Sequence, residues 1–133
     1  MANEAVIIEL LGYPPGEPIQ MTVADATQIS GGSLLVLSDA RTAAKTSTTG
    51  QIFAGIAAQE KVASDGATTL AVYTKGIFDL KADESVTVGQ IVATSGANLV
   101  RAATEAEVNA GKYIGRALET ASAAEVIAVQ LGL

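Results

Sequence analysis

Two stretches, Phe53-Ala54-Gly55-Ile56-Ala57-Ala58-Gln59 and Tyr113-Ile114-Gly115-Arg116-Ala117-Leu118-Glu119, decide the fold class of this chain. Each passes from an aromatic residue into a Gly, alternates apolar and small residues, and ends on a polar group. Each follows a Gly-led strand, Gly32-Ser33-Leu34-Leu35-Val36-Leu37 in one half and Gly89-Gln90-Ile91-Val92-Ala93-Thr94 in the other. Each also precedes a second alternating run, Leu70-Ala71-Val72-Tyr73 or Val126-Ile127-Ala128-Val129. The pattern predicts a compact all-β fold, a barrel or sandwich made of two related β units. Chance likeness between short alternating strands leads to the same class.

With 133 residues the chain suits one domain with a real core. Aromatic residues make up only 4%, so Val, Ile and Leu on closely spaced strands must build that core. The net charge of -6 disfavours phosphate binding, which draws on clustered positive side chains, so no nucleic-acid partner is expected. An acidic surface suits a protein kept soluble at high local concentration. His and Cys are both absent, which removes the usual general base, thiolate nucleophiles, disulfides and the commonest zinc ligands. No apolar run approaches the roughly 18 residues of a membrane helix, and the Met1-Ala2-Asn3-Glu4 start has no basic leader region, so neither a membrane partner nor a secretion signal is expected.

Ala5 to Leu11, apolar except for Glu9, reads as a short strand. The three prolines of Gly12-Tyr13-Pro14-Pro15-Gly16-Glu17-Pro18 then remove backbone donors and fix φ. Residues 1–18 are therefore expected to form an extended N-terminal arm, and residues 19–133 a single β domain. Val6, Ile7, Ile8, Leu10, Leu11 and Tyr13 of the arm are candidate contacts to another subunit, the alternative being that this strand completes the protein's own sheet. Ile19 to Val23 reads as a strand, Asp25 to Gly32 as a turn, and Ser38 to Gly50, which lacks any period, as a long surface loop. Leu70, Val72, Phe78 and Leu80 fall on one face of an extended strand with Gly76 as its kink. Tyr73 and Ile77 break the polar face, either as an exposed contact patch or beneath a second sheet. Ser95-Gly96-Ala97-Asn98 is a hairpin turn signal. One short helix is expected over 105–110, capped by Thr104, with Glu107 at the reciprocal position and Gly111 closing it.

Candidate chemistry is thin. Gly50-Gln51-Ile52-Phe53-Ala54-Gly55 has phosphate-loop glycine spacing, but Ile56-Ala57 replace the required Lys and Ser/Thr. Asp79, Asp83 and Glu84 are interrupted by Lys81 and lack the Gly-centred loop of a calcium site. Ser64-Asp65-Gly66 reads as a hairpin turn, and Lys45 beside Thr46 and Ser47 has no rigid frame for a Ser/Lys dyad. No catalytic, cofactor or metal site is expected.

Several phrases carry a family resemblance across nearly the whole chain. They are Val23-Ala24-Asp25-Ala26, Gly32 to Ala43, Phe53 to Gly66, Ala71 to Leu80 with its Gly76-Ile77-Phe78-Asp79-Leu80, and Ile114-Gly115-Arg116-Ala117-Leu118-Glu119-Thr120. Together they resemble the capsid decoration, or cement, proteins of tailed phages. The resemblance implies a small all-β module on the outer surface of the virion capsid, bound to the major capsid protein, commonly as a homotrimer, and bracing neighbouring shell subunits. The chain departs from the family pattern in the stretch Tyr13 to Pro18. The competing class is a glycan-binding head fibre module, which would need exposed aromatics for stacking; three Tyr, two Phe and no Trp equip the chain poorly for that.

Overall fold

The computed structural model describes residues 6–8 and 18–131. The first strands after the arm, β2 (Ile19–Thr22), β3 (Leu34–Asp39), β4 (Thr42–Lys45), β5 (Phe53–Ala57) and β6 (Thr69–Tyr73), close into a barrel in the order β2-β4-β3-β5-β6. The second unit contains β7 (Gly76–Ala82), β8 (Ile91–Thr94), β9 (Leu99–Ala102), β10 (Gly115–Ala117) and β11 (Val126–Leu131). Its sheet runs β7-β11-β10-β8-β9, and a β7–β9 pairing closes it. A further strand, β1 (Val6–Ile8), adds antiparallel to β7.

The two barrels have one wiring. β2 pairs parallel with β4 and antiparallel with β6, as β7 pairs parallel with β9 and antiparallel with β11. The antiparallel series β4-β3-β5-β6 likewise has its counterpart in β9-β8-β10-β11. The phrases beginning at Phe53 and Tyr113 therefore occupy equivalent places. Gly55 lies so close to β6 that a Cβ there would stand 2.5 Å from the Tyr73 carbonyl oxygen; at Gly115 it would stand 1.9 Å from that of Gln130 on β11. Only a residue without a side chain fits between these strands. The polar ends of the phrases cap the next strand: Gln59 Oε1 accepts from Ala71 N–H at 3.4 Å, and Glu119 Oε1 from Ala128 N–H at 2.8 Å. Gly32 and Gly89, both at φ 89°, donate their N–H groups to Ala57 and Ala117, each at 2.8 Å.

Two expectations need correction. Ser38 to Gly50 contains β4, whose Ala43 is buried. Its side chains are Thr, Ala, Ala and Lys, so the strand lacks the large β-branched apolar signal. The run from Leu70 to Leu80 is not one kinked strand but two, β6 and β7, one from each barrel. The chain crosses at Thr74-Lys75, and Gly76 (φ 132°) opens the second barrel. The expected helix is present as α1 (Glu105–Asn109), with Thr104 and Glu107 forming the reciprocal cap.

The barrels share a core. Leu34 and Ile56 of the first pack with Phe78, Leu80, Val92, Val100, Ile127 and Val129 of the second, while Val23, Ile29, Leu35, Leu70 and Val72 fill the first barrel. Polar residues pin this junction. Asn98, fully buried at φ 58° in the β8–β9 turn, accepts from Leu34 N–H at 3.0 Å and donates its own N–H to Thr46 Oγ1 at 3.1 Å. The carbonyl and hydroxyl of Thr94 accept from Gly50 and Gln51 N–H, both at 3.1 Å.

Candidate functional site

The candidate contact residues divide into three groups. Val6, Ile7 and Ile8 form β1, with backbones opposite Asp79, Phe78 and Ile77. Leu10, Leu11 and Tyr13 lie outside the described residues. Tyr73 is half-buried, its ring 5.8 Å from that of Phe78 and tilted by 51°, whereas Ile77 is buried at 5% exposure. Tyr73 and Ile77 therefore do not form an exposed patch: Tyr73 packs against the shared core, and Ile77, across the crossover on β7, is buried. Tyr73 instead lines, with Phe78, Ile56, Ala57, Ala58, Gly31 and Gly32, a groove of about 240 Å³ where the barrels meet.

Charged side chains are used in local clasps. Arg101 makes a two-pronged ion pair with Glu107, one arm at 2.9 Å, and a Glu107 oxygen also accepts from Thr104 N–H at 2.8 Å. The Arg101 bonds hold the Glu107 carboxyl below its usual pKa. Asp79 is shifted upward, by partial burial and then by the neighbouring charge of Glu119.

Lys61 is the feature that sequence reasoning missed. Its side chain is 1% exposed, and its ammonium donates to Asp65 Oδ1 at 2.7 Å, to the carbonyls of Asp25 and Val62 at 2.9 Å, and to Asp25 Oδ1 at 3.0 Å. The same carboxylates accept from Gly66 and Ala67 N–H, at 2.8 and 2.9 Å, so one cation and two anions fix the turn after Lys61. Burial acts against the charged amine, yet the hydrogen bonds it donates to Asp65 and Asp25, with the attraction of their charges, outweigh it, and the Lys61 pKa is raised. The second barrel has Ala121 at this place, since Ile29↔Lys61 and Val86↔Ala121 are equivalent bridges. The long separation between Asp25 and Lys61 left no local motif to read.

The other weighed groups are dispersed. Asp83 accepts from the Ser95 hydroxyl at 2.7 Å, and Thr46 is buried as the Asn98 partner rather than set beside a nucleophile. Among the described residues no group of three or more His, Cys, Asp or Glu is placed to hold a metal ion. What this arrangement can do is present a rigid, laterally braced surface.

A family model described as phage cement protein matches residues 13–133. This chain belongs to the phage cement protein family. Its fold is similar to the crystal structure of the N base of head fibre gp8.5 in bacteriophage phi29, with a TM-score of 0.57 at 14% identity, covering 86% of this chain and 92% of that one. No curated protein matches. As a cement protein it is a structural component of the virion, carried on the outer surface of the capsid.

Proposed function

We propose that this cement protein binds the major capsid protein from outside, as a homotrimer, and stabilises contacts between neighbouring shell subunits without catalysing any reaction. The observation that carries the reading is the family match over residues 13–133. The physics of the fold supports it: two closed barrels locked through a common core resist deformation, and modest contacts repeated over a lattice become strong through multivalency. The arm, with Val6, Ile7, Ile8, Leu10, Leu11 and Tyr13, supplies the attachment, helped by Tyr73 at the groove. Both barrels close without β1, which lies along β7 as an added strand, so its outer side can serve contacts between chains.

Co-sedimentation with purified shells tests this. The full chain should pellet with shells in a fixed ratio to the major capsid protein and raise their melting temperature. A chain lacking residues 1–16 should keep its own melting temperature yet stay in the supernatant. Unfolding of the shortened chain would make β1 a core strand, and equal pelleting would remove the arm from attachment. A glycan-dependent signal with no shell binding would favour the glycan-binding reading.

A further inference from the structure

Closing a sheet removes its edges, yet two stretches of strand keep a side that no other described strand covers. One is β1, which pairs with β7 alone. The other is the start of β2: Ile19 to Thr22 all pair with β6, but β4 meets β2 only at Thr22↔Thr42.

The internal repeat says what this second stretch accepts. Ile19, Gln20, Met21 and Thr22 face Val72, Ala71, Leu70 and Thr69 just as Phe78, Asp79, Leu80 and Lys81 face Val129, Ala128, Ile127 and Val126. In the second barrel the side of Phe78 and Asp79 carries β1, antiparallel. In the first barrel the same side, along Ile19 and Gln20, is bare among the described residues, and Ile19 is 46% exposed.

Backbone directions agree. Thr22 N–H donates to Arg41 on the β4 side, whereas Val23 N–H donates to Thr68 on the β6 side, both at 2.9 Å. By alternation, Gln20 N–H and C=O face the bare side. In the second barrel Ala82 N–H turns to Glu125, at 2.8 Å, so Asp79 and Ile77 face β1. Val6 and Ile8 then face β7, and the Ile7 N–H and C=O point away from it. Pro18 stands where Ile77 stands in the other barrel; it removes one donor and confines any docked strand to a short pairing.

We propose that the bare side of β2 takes β1 of a second copy, with Ile7 and Gln20 paired backbone to backbone. This names the self-contact within the reading above and rests on that reading's self-association. The second copy is the occupant because β1 is the strand that the equivalent side already accepts, and no other described strand pairs with its outer side. Two different surfaces meet, so the contact runs head to tail; such contacts build a ring or an open filament, and the trimer of the reading above requires the ring.

Gln20→Pro tests it, since it removes the outward N–H and leaves the β2–β6 ladder intact. Ile19→Lys is the second variant, placing a charge on the same edge. In sedimentation equilibrium the wild-type chain should form a closed oligomer, and each variant should weaken assembly by about a hundredfold while circular dichroism shows a folded chain. A monomeric wild type at high concentration overturns the proposal, as does an oligomer unmoved by both variants. Intact oligomers that lose only shell binding would assign this edge to a strand of the shell protein. If the variants dissociate the ring while the wild type never binds shells, the capsid reading fails and this contact stands.

Discussion

At Gly115, a side chain would meet backbone, and backbone cannot swing aside. Gly115→Ala should therefore cost about 3 kcal/mol or more, the range for an overpacked core without relaxation, and Gly55→Ala should be comparably severe. Gly66 has open space around it and only its φ of 86° to satisfy, so Gly66→Ala should cost about 1 kcal/mol. Urea unfolding of the three variants checks the order; equal losses would mean that strand spacing does not explain the paired glycines. The Lys61 clasp makes a pH-dependent claim. The Asp65 pKa is lowered chiefly by its hydrogen bond from Lys61, so between its folded and unfolded values the unfolded chain binds more protons. Its stabilisation is full above the unfolded value, near 4, and is lost as pH falls through the folded one. For Lys61 the sign reverses: stabilisation is full below about 10.4 and is lost as pH rises through its raised pKa. Lys61→Met should lower the melting temperature by several degrees at neutral pH and flatten both limbs of the stability profile. A parallel downward shift at every pH would count against the ion cluster as the cause.

At the scale of elements, α1 is too short to persist by propensity and exists through its ends. Thr104→Ala removes the acceptor for Glu107 N–H, 3.2 Å away, and should cost about 1 kcal/mol. Glu107→Ala removes the other half of the cap and leaves Arg101, only 15% exposed, without its carboxylate, so it should cost about 3 kcal/mol. Thr48→Ala, in the exposed stretch after β4, should change stability little. Thermal melts of the three variants check this order. The helix was legible because capping is local and its residues are adjacent in sequence. So were β3, β5 and the Ser95 to Asn98 turn, whose signals lie in a few consecutive residues. β4 was not, since Thr42-Ala43-Ala44-Lys45 has one strand-favouring side chain, Thr42, and no large apolar one, and its pairing with β2 is set by barrel closure. Of the two alternatives for Tyr73 and Ile77 the exposed patch is the one the burial excludes, and sequence could not choose because alternation assigns faces within one strand, and here the strand ends between the two residues.

Across the whole molecule, the sequence displayed two related β units but not that each closes on itself, because closure depends on long-range pairings such as Lys81↔Leu99 that leave no local trace. Nor did it show how the units are joined. The expectation of one domain over residues 19–133 becomes a claim about cooperativity, and the junction argues for it. Leu34 and Ile56 belong to the second barrel's core as much as to their own strands, so separating the barrels would expose apolar surface on both sides. It would also strand buried polar groups, among them Leu34 N–H, which Asn98 satisfies, at a cost of about 1–3 kcal/mol each. The chain should therefore unfold in one calorimetric transition whose van't Hoff and calorimetric enthalpies agree. Asn98→Ala withdraws the acceptor of Leu34 and puts Ala at a positive φ, and should lower the midpoint of that single transition by several degrees. Two resolved transitions in the wild type would make the barrels separate domains. If Asn98→Ala split one transition into two, the polar junction rather than the shared apolar core would be what couples them.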